Sequence, residues 1–199
     1  TFCNRHPHGD PDRRTDIYYL QTRDMGRTWT AVNGEKVNVP LTEVDGPAQV
    51  LNYAEKGLNV YLKDMAFDER DRPAFLYVTS PGHEPGPPNE PRTWRLTRWT
   101  GTAWKTSEIC RSDHNYDMGS LTVAPDRWRL LAPTEPGPQP HHGGGEIACR
   151  ESRDHGNTWH FQHQLTRNSP RNHNYVRRPL DAADPFCAFW ADGDPTRLS

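Results

Sequence analysis

The sequence predicts an all-β fold of short antiparallel strands, and three observations lead there. The 199 residues contain 19 Pro and 15 Gly, which interrupt helices and mark turns. Hydrophobic residues make up only 33%, too few for the long apolar stripes of a helical bundle. The chain nevertheless carries 7 Trp, 7 Tyr and 6 Phe, which excludes a disordered polymer. At this length it forms one domain or a piece of a larger one.

Composition also excludes several functions. No apolar stretch approaches the roughly 18 residues of a membrane span. With 24 basic and 26 acidic residues and a net charge of -2, no basic block supports a nucleic-acid partner. Cys3, Cys110, Cys149 and Cys187 form no CxxC pair, so neither a zinc ribbon nor a thioredoxin-like site is expected. Buried free thiols are the simpler reading.

Two octapeptides share one pattern. Thr22-Arg23-Asp24-Met25-Gly26-Arg27-Thr28-Trp29 and Ser152-Arg153-Asp154-His155-Gly156-Asn157-Thr158-Trp159 both read [ST]-x-D-x-G-x-T-W. The pattern suits a hairpin turn. The Asp accepts N–H groups of the turn, Gly takes a positive φ, and Trp packs between sheets. Asp24 and Asp154 are therefore expected to be structural, with Trp29 and Trp159 largely buried. A degenerate copy at Arg98-Trp99-Thr100-Gly101-Thr102-Ala103-Trp104 keeps Gly-x-x-Trp and loses the Asp. These octapeptides resemble the Asp-box, or BNR repeat, of sialidase-type β-propellers. That resemblance implies four-stranded antiparallel blades around a central channel, with the boxes on the rim.

A second repeat runs out of phase with the first. Asp113-His114-Asn115-Tyr116-Asp117 recurs as Asn172-His173-Asn174-Tyr175-Val176, about one propeller unit later. Between the copies lie four strand-like runs: Gly119–Val123, Trp128–Ala132, Glu146–Arg150 and Trp159–Gln162. The preceding stretch repeats the plan with Asn59–Phe67, Pro73–Thr79, Thr93–Trp99 and Trp104–Ile109. This spacing predicts blades at 56–110 and 113–168, with partial blades at 1–55 and 169–199. That is a partial propeller of about three to three and a half blades, whereas closed propellers need about 4–8. The chain thus reads as part of a longer propeller.

Longer stretches resemble secreted bacterial BNR-repeat carbohydrate-active proteins, including ulvan-lyase-type polysaccharide lyases. They are Asn59–Asp64, Asp113–Ser120, Ala132–Pro140, Asn172–Pro179 and Phe189–Gly193. The resemblance implies a secreted or periplasmic bacterial protein acting on a polysaccharide or oligosaccharide.

The residue types suit β-elimination from an anionic, uronate-containing glycan. The first strand of each blade lines the channel, so His114, Tyr116, His173 and Tyr175 are expected to converge as the catalytic set. Arg177, Arg178, Lys63, Asp64, Asp117 and His142 are the expected substrate-binding residues. Of the arginines, one is expected to face the channel and the other a sheet interface. Arginine neutralises the carboxylate, and His or Tyr moves the proton. This scheme calls for no metal or cofactor. Two alternatives stay open: a sialidase-like or other exo-glycosidase using Asp64, Asp117 or Glu135, and a non-catalytic glycan-binding propeller. A plain strand-capping role for each His-Asn-Tyr is the bland counterpart.

Overall fold

The computed structural model describes residues 1–182 and 186–192. The strands are β1 (Phe2–Arg5), β2 (Thr15–Tyr19), β3 (Trp29–Thr30), β4 (Lys36–Val37), β5 (Gln49–Leu51), β6 (Asn59–Phe67), β7 (Pro73–Ser80) and β8 (Arg92–Trp99). They continue with β9 (Trp104–Ser112), β10 (Ser120–Val123), β11 (Trp128–Glu135), β12 (Glu146–Ser152), β13 (His160–Gln164), β14 (Asn174–Arg177) and β15 (Phe189–Ala191). Two single 3-10 turns, Pro7–Gly9 and Pro87–Asn89, are the only helical pieces among the described residues. None is long and apolar enough to cross a membrane.

Two four-stranded antiparallel sheets form the body, in the up-and-down orders β6-β7-β8-β9 and β10-β11-β12-β13. They are flanked by β1-β2-β5, with the β3-β4 hairpin, and by β14-β15. The eight predicted runs of the two central sheets are all strands, with ends moved by a few residues. The tail of the last predicted unit includes Gly193 and Thr196–Ser199, which lie outside the described residues.

The sheets stack face to face, and apolar side chains fill each gap. Trp94, Leu96 and Ile109 meet Leu121, Trp128 and Leu130 between the two central sheets. Ile17, Tyr19 and Tyr53 meet Val60, Phe75 and Tyr77 on the other side. Leu131, Ile147 and Cys149 meet Val176 beyond β10–β13. Strand β7 is buried along its whole length, as a strand covered on both faces must be. All four cysteines are free thiols. This is the β-propeller architecture, with first strands β6 and β10 packed against one another.

The Asp-box turns follow their chemistry. Asp154 Oδ1 accepts from the Thr158 amide at 2.9 Å and the Asn157 amide at 3.0 Å, and Oδ2 accepts from the Thr158 hydroxyl at 2.7 Å. Asp24 repeats the Thr28 pair at 2.8 and 2.7 Å. In the degenerate copy the Thr100 hydroxyl replaces the carboxylate, accepting from the Ala103 amide at 3.0 Å. Gly156 has φ 81°, and a Cβ there would stand 2.5 Å from Leu96 and 2.9 Å from Trp128. One correction follows. Trp29 and Trp159 are half-buried, because each ring lies at the rim of its cluster and leaves one side to solvent.

Burial pulls the Asp154 carboxyl upward but is outweighed by its Thr158, Ser152 and Asn157 hydrogen bonds, which hold it at about 2. The lowered pKa makes this contribution present above the unfolded value of about 3.9 and lost as pH falls through about 2. Asp154→Ala should lower stability by about 1 kcal/mol at neutral pH, the net worth of its turn hydrogen bonds at a solvent-screened position. The deficit should disappear towards pH 2 in urea titrations.

Candidate active site

The segment from Asp113 to Gly119 links β9 to β10, and its turn carries the first His-Asn-Tyr. The motif thus precedes the first strand of its sheet instead of opening it. Three anchors hold the turn. Trp94 Nε1 donates to Ser112 Oγ at 3.0 Å, and that hydroxyl donates to the His114 carbonyl at 3.0 Å. The buried Asn115 amide donates to the Gly82 and His83 carbonyls, both at 3.3 Å. A Cβ on Gly119 would stand 2.8 Å from both Trp94 and Ala132, so only glycine lets the segment pass between the sheets.

The turn presents an oriented imidazole. His114 Nδ1 lies 2.7 Å from Oδ1 of the fully buried Asp117. An ionised carboxylate is acceptor-only, so the proton sits on Nδ1 and Nε2 keeps its lone pair. The Tyr116 amide donates to the same nitrogen at 3.2 Å and on its own favours the other tautomer; the shorter, charge-assisted bond to Asp117 outweighs it, and the proton is assigned to Nδ1 on that ground. Asp117 is held in turn by the Gly144 amide at 2.5 Å, and a Cβ on Gly143 would stand 3.4 Å from the His114 ring. The loop from Gly137 to Gly145 thus forms one wall. Tyr116 is 40% exposed, with its ring centroid 5.8 Å from His114 and 5.3 Å from Tyr61.

Positive charge surrounds this group. The Arg14 guanidinium lies 5.3 Å from the Tyr61 ring centroid and 5.6 Å from that of Tyr116. Lys63 is buried and donates to the Asn115 carbonyl at 2.6 Å. Burial brings its ammonium down to about 7; Asp117 acts to raise it, and Arg14 and Arg177 lower it further. Arg177, at the end of β14, donates to the Val176 carbonyl at 3.5 Å.

The other expected site residues are placed differently. His173 forms a backbone bridge with Gly145, and its Nε2 bonds Ser169 Oγ at 2.8 Å. The same hydroxyl donates to Glu146 at 2.8 Å. The His173 ring faces Trp190 edge-on and has no contact with His114. The loop of glycines lies between them, so the two His-Asn-Tyr copies do not pair as expected. Tyr175, at φ 56°, is 60% exposed. Asp64 braces β6 to β10 by accepting the Leu121 amide at 2.8 Å, with Arg178 3.9 Å away. His142 is exposed on the glycine loop. Lys63, beneath the turn on β6, and Asp117, within it, are both buried; the expectation that they bind substrate directly gives way to bonds with the turn itself, Lys63 to the Asn115 carbonyl and Asp117 to His114.

Arg14 and Tyr61 escaped the sequence reading. Arg14 comes from the loop before β2, about a hundred residues upstream of His114, and carries no local motif. Tyr61 reads as one more strand aromatic. A cavity of about 480 Å³ lies on the far face of β10–β13 among Leu131, Cys149 and Trp190. It is mostly apolar and distant from the His114 turn. A cleft of about 280 Å³, lined by Asp12, Arg13, Asn59, Gly82 and His83, adjoins Tyr61, whose hydroxyl donates to the Gly82 carbonyl at 3.4 Å. No cluster of three or more His, Cys, Asp or Glu suited to a metal occurs among the described residues.

Comparison with known proteins agrees with this architecture. A solved ulvan lyase of polysaccharide lyase family PL25 is 18% identical with a TM-score of 0.59, covering 77% of this chain and 34% of its own. The same values hold for that enzyme bound to -[GlcA(1-4)Rha3S]-. Polysaccharide lyase Uly1 is 12% identical with a TM-score of 0.54, covering 84% of this chain and 34% of its own. The chain therefore spans about a third of the length of these neighbours. No curated protein matches it. The profile of the BNR repeat-containing family matches residues 1–112, more than half of the chain and upstream of most of the resembling stretches. Together with the two Asp-box turns and the stacked four-stranded sheets, that match shows that the chain belongs to the BNR repeat-containing family.

Proposed function

We propose that this chain carries the acid–base centre of a polysaccharide lyase acting on a uronate-containing glycan. One observation carries the reading: a buried carboxylate, Asp117, orients His114 so that Nε2 has no partner among the described residues, beside Tyr116 and the Arg14 guanidinium over its ring. That is the arrangement a general base needs.

In this reading Arg177 and Arg14 bind the sugar carboxylate and neutralise charge that grows as the C5 proton leaves. His114 Nε2 takes that proton. The C5–H electrons form the C4–C5 double bond, the C4–O4 bond breaks, and the Tyr116 phenol protonates the departing oxygen. Tyr175 and Arg178 extend the sugar path along β14, with His142 at its mouth. The cleft beside Tyr61 continues it on the other side. His173 supports the glycine loop from behind. A secreted protein with an anionic glycan partner fits this chemistry.

Hydrolysis is less well supported. A glycosidase needs a pair of available carboxyl groups. Here Asp117 is bonded to His114, Asp64 braces two strands, and Glu135 is paired with Arg150 at 2.7 Å. Incubation with uronate polysaccharides decides the matter. Ultraviolet absorbance from an unsaturated uronate is the expected result. New reducing ends without it would mean hydrolysis, and binding without either would mean a glycan-binding propeller.

A further inference from the structure

Strand β6 contains a bulge. Leu62 pairs with Tyr77 and Asp64 with Leu76, which leaves Lys63 as the extra residue. Bulges re-aim a side chain and occur next to active sites. Here the bulge turns Lys63 under the His114 turn, where its amine has a single hydrogen bond, to the Asn115 carbonyl. A buried ammonium has three donors to satisfy. Nearby, Asp117 Oδ2 and Asn115 Oδ1 are buried without partners among the described residues. Buried polar groups are nearly always hydrogen-bonded, so these gaps call for an explanation.

We propose that Lys63 is a positioning residue of the elimination, setting through Asp117 the charge balance of the His114 imidazole. This rests on the lyase reading above. The charges that act on its amine are Asp117 from the turn, Arg14 from the loop before β2 and Arg177 from β14; the Tyr61 ring on its own strand lies 5.7 Å from it, and His114 and Tyr116 stand one contact further, against Asp117 and Tyr61. When Lys63 is charged, it compensates Asp117, and the carboxylate stabilises an imidazolium less. When Lys63 is neutral, Asp117 acts fully on His114 as that ring takes the substrate proton. With the amine at about 7, turnover should step upward as pH rises through neutrality.

The test compares kcat for unsaturated-product release at about pH 6 and about pH 8 in the wild type, Lys63→Met and Lys63→Arg, on either side of that midpoint. Neither variant can change charge across this window. The ratio of the two rates should therefore fall by roughly 3–10-fold in both variants, a change worth about one pKa unit or less. A purely structural lysine would lower kcat equally at both pH values, and an unchanged ratio overturns the proposal. Lys63→Arg keeps the test open should the methionine variant fail to fold. NMR of carbon-labelled lysine supplies a readout independent of turnover. A Lys63 resonance titrating near 7 supports the proposal, and one titrating near 10 overturns it even in an active enzyme. A Lys63 midpoint near 7 in a protein that cleaves no uronate polysaccharide would instead overturn the lyase reading.

Discussion

His114→Ala should lower release of unsaturated product by about 10²–10⁴-fold, the usual worth of a positioned general base. The variant should fold normally, because His114 contributes no large apolar surface to the sheet interfaces. In the proposed reading Arg177 and Arg14 hold the sugar carboxylate, so glycan affinity should change little. Asp117→Asn should lose a comparable factor. An amide at that position can donate to Nδ1 and so favours the tautomer whose Nε2 carries the proton. Steady-state kinetics with separate kcat and KM checks both variants. Undiminished turnover in His114→Ala would remove the imidazole from the mechanism. A loss confined to KM would turn it into a binding group.

Trp94→Ala should produce the largest stability loss, about 3–5 kcal/mol, typical of a buried tryptophan truncation. Its indole is fully buried between the two central sheets among Leu96, Leu121, Trp128 and Leu130. The sheets meet through side chains there, so the cavity left behind cannot close without moving a blade. The same substitution removes the hydrogen bond to Ser112, which holds the His114 carbonyl. Turnover of the remaining folded fraction should therefore fall as well. Guanidinium unfolding, followed by activity per folded molecule, separates the two effects. A loss below about 1 kcal/mol would mean that the inter-sheet gap repacks freely.

Much of the fold was legible because blades are local. Each hairpin joins neighbouring strands, so alternation and turn residues in a short window report the sheet directly. Asp24 and Asp154 bond only to residues within four positions of themselves, and their chemistry can be read from the octapeptides. The same locality explains the degenerate copy, where Thr100 supplies an oxygen in place of the missing Asp.

The site was legible only in part. His114-Asn115-Tyr116-Asp117 was found because it recurs, but recurrence carries no information about which copy is engaged by its surroundings. His173 is tied to Ser169 and Glu146, groups that reach it through the packing of β12 against the segment before β14. Lys63 looked like a channel residue from its place on a first strand; a one-residue bulge turned it inwards. Register shifts of that kind reverse which face a side chain occupies, and no period-two pattern records them.

By itself, then, the sequence determined the all-β class, the Asp-box turns and the strands of the two central sheets, because those depend on hydrogen bonds and side-chain alternation within a few residues. Only the tertiary structure decided that Asp117 orients His114, that Arg14 comes over Tyr61 and Tyr116 from a loop about a hundred residues away, and that the glycine loop lies between His114 and His173. Those relations arise where sheets stack. Stacking is governed by volume and charge among residues distant in sequence, whose contacts leave no pattern along the chain.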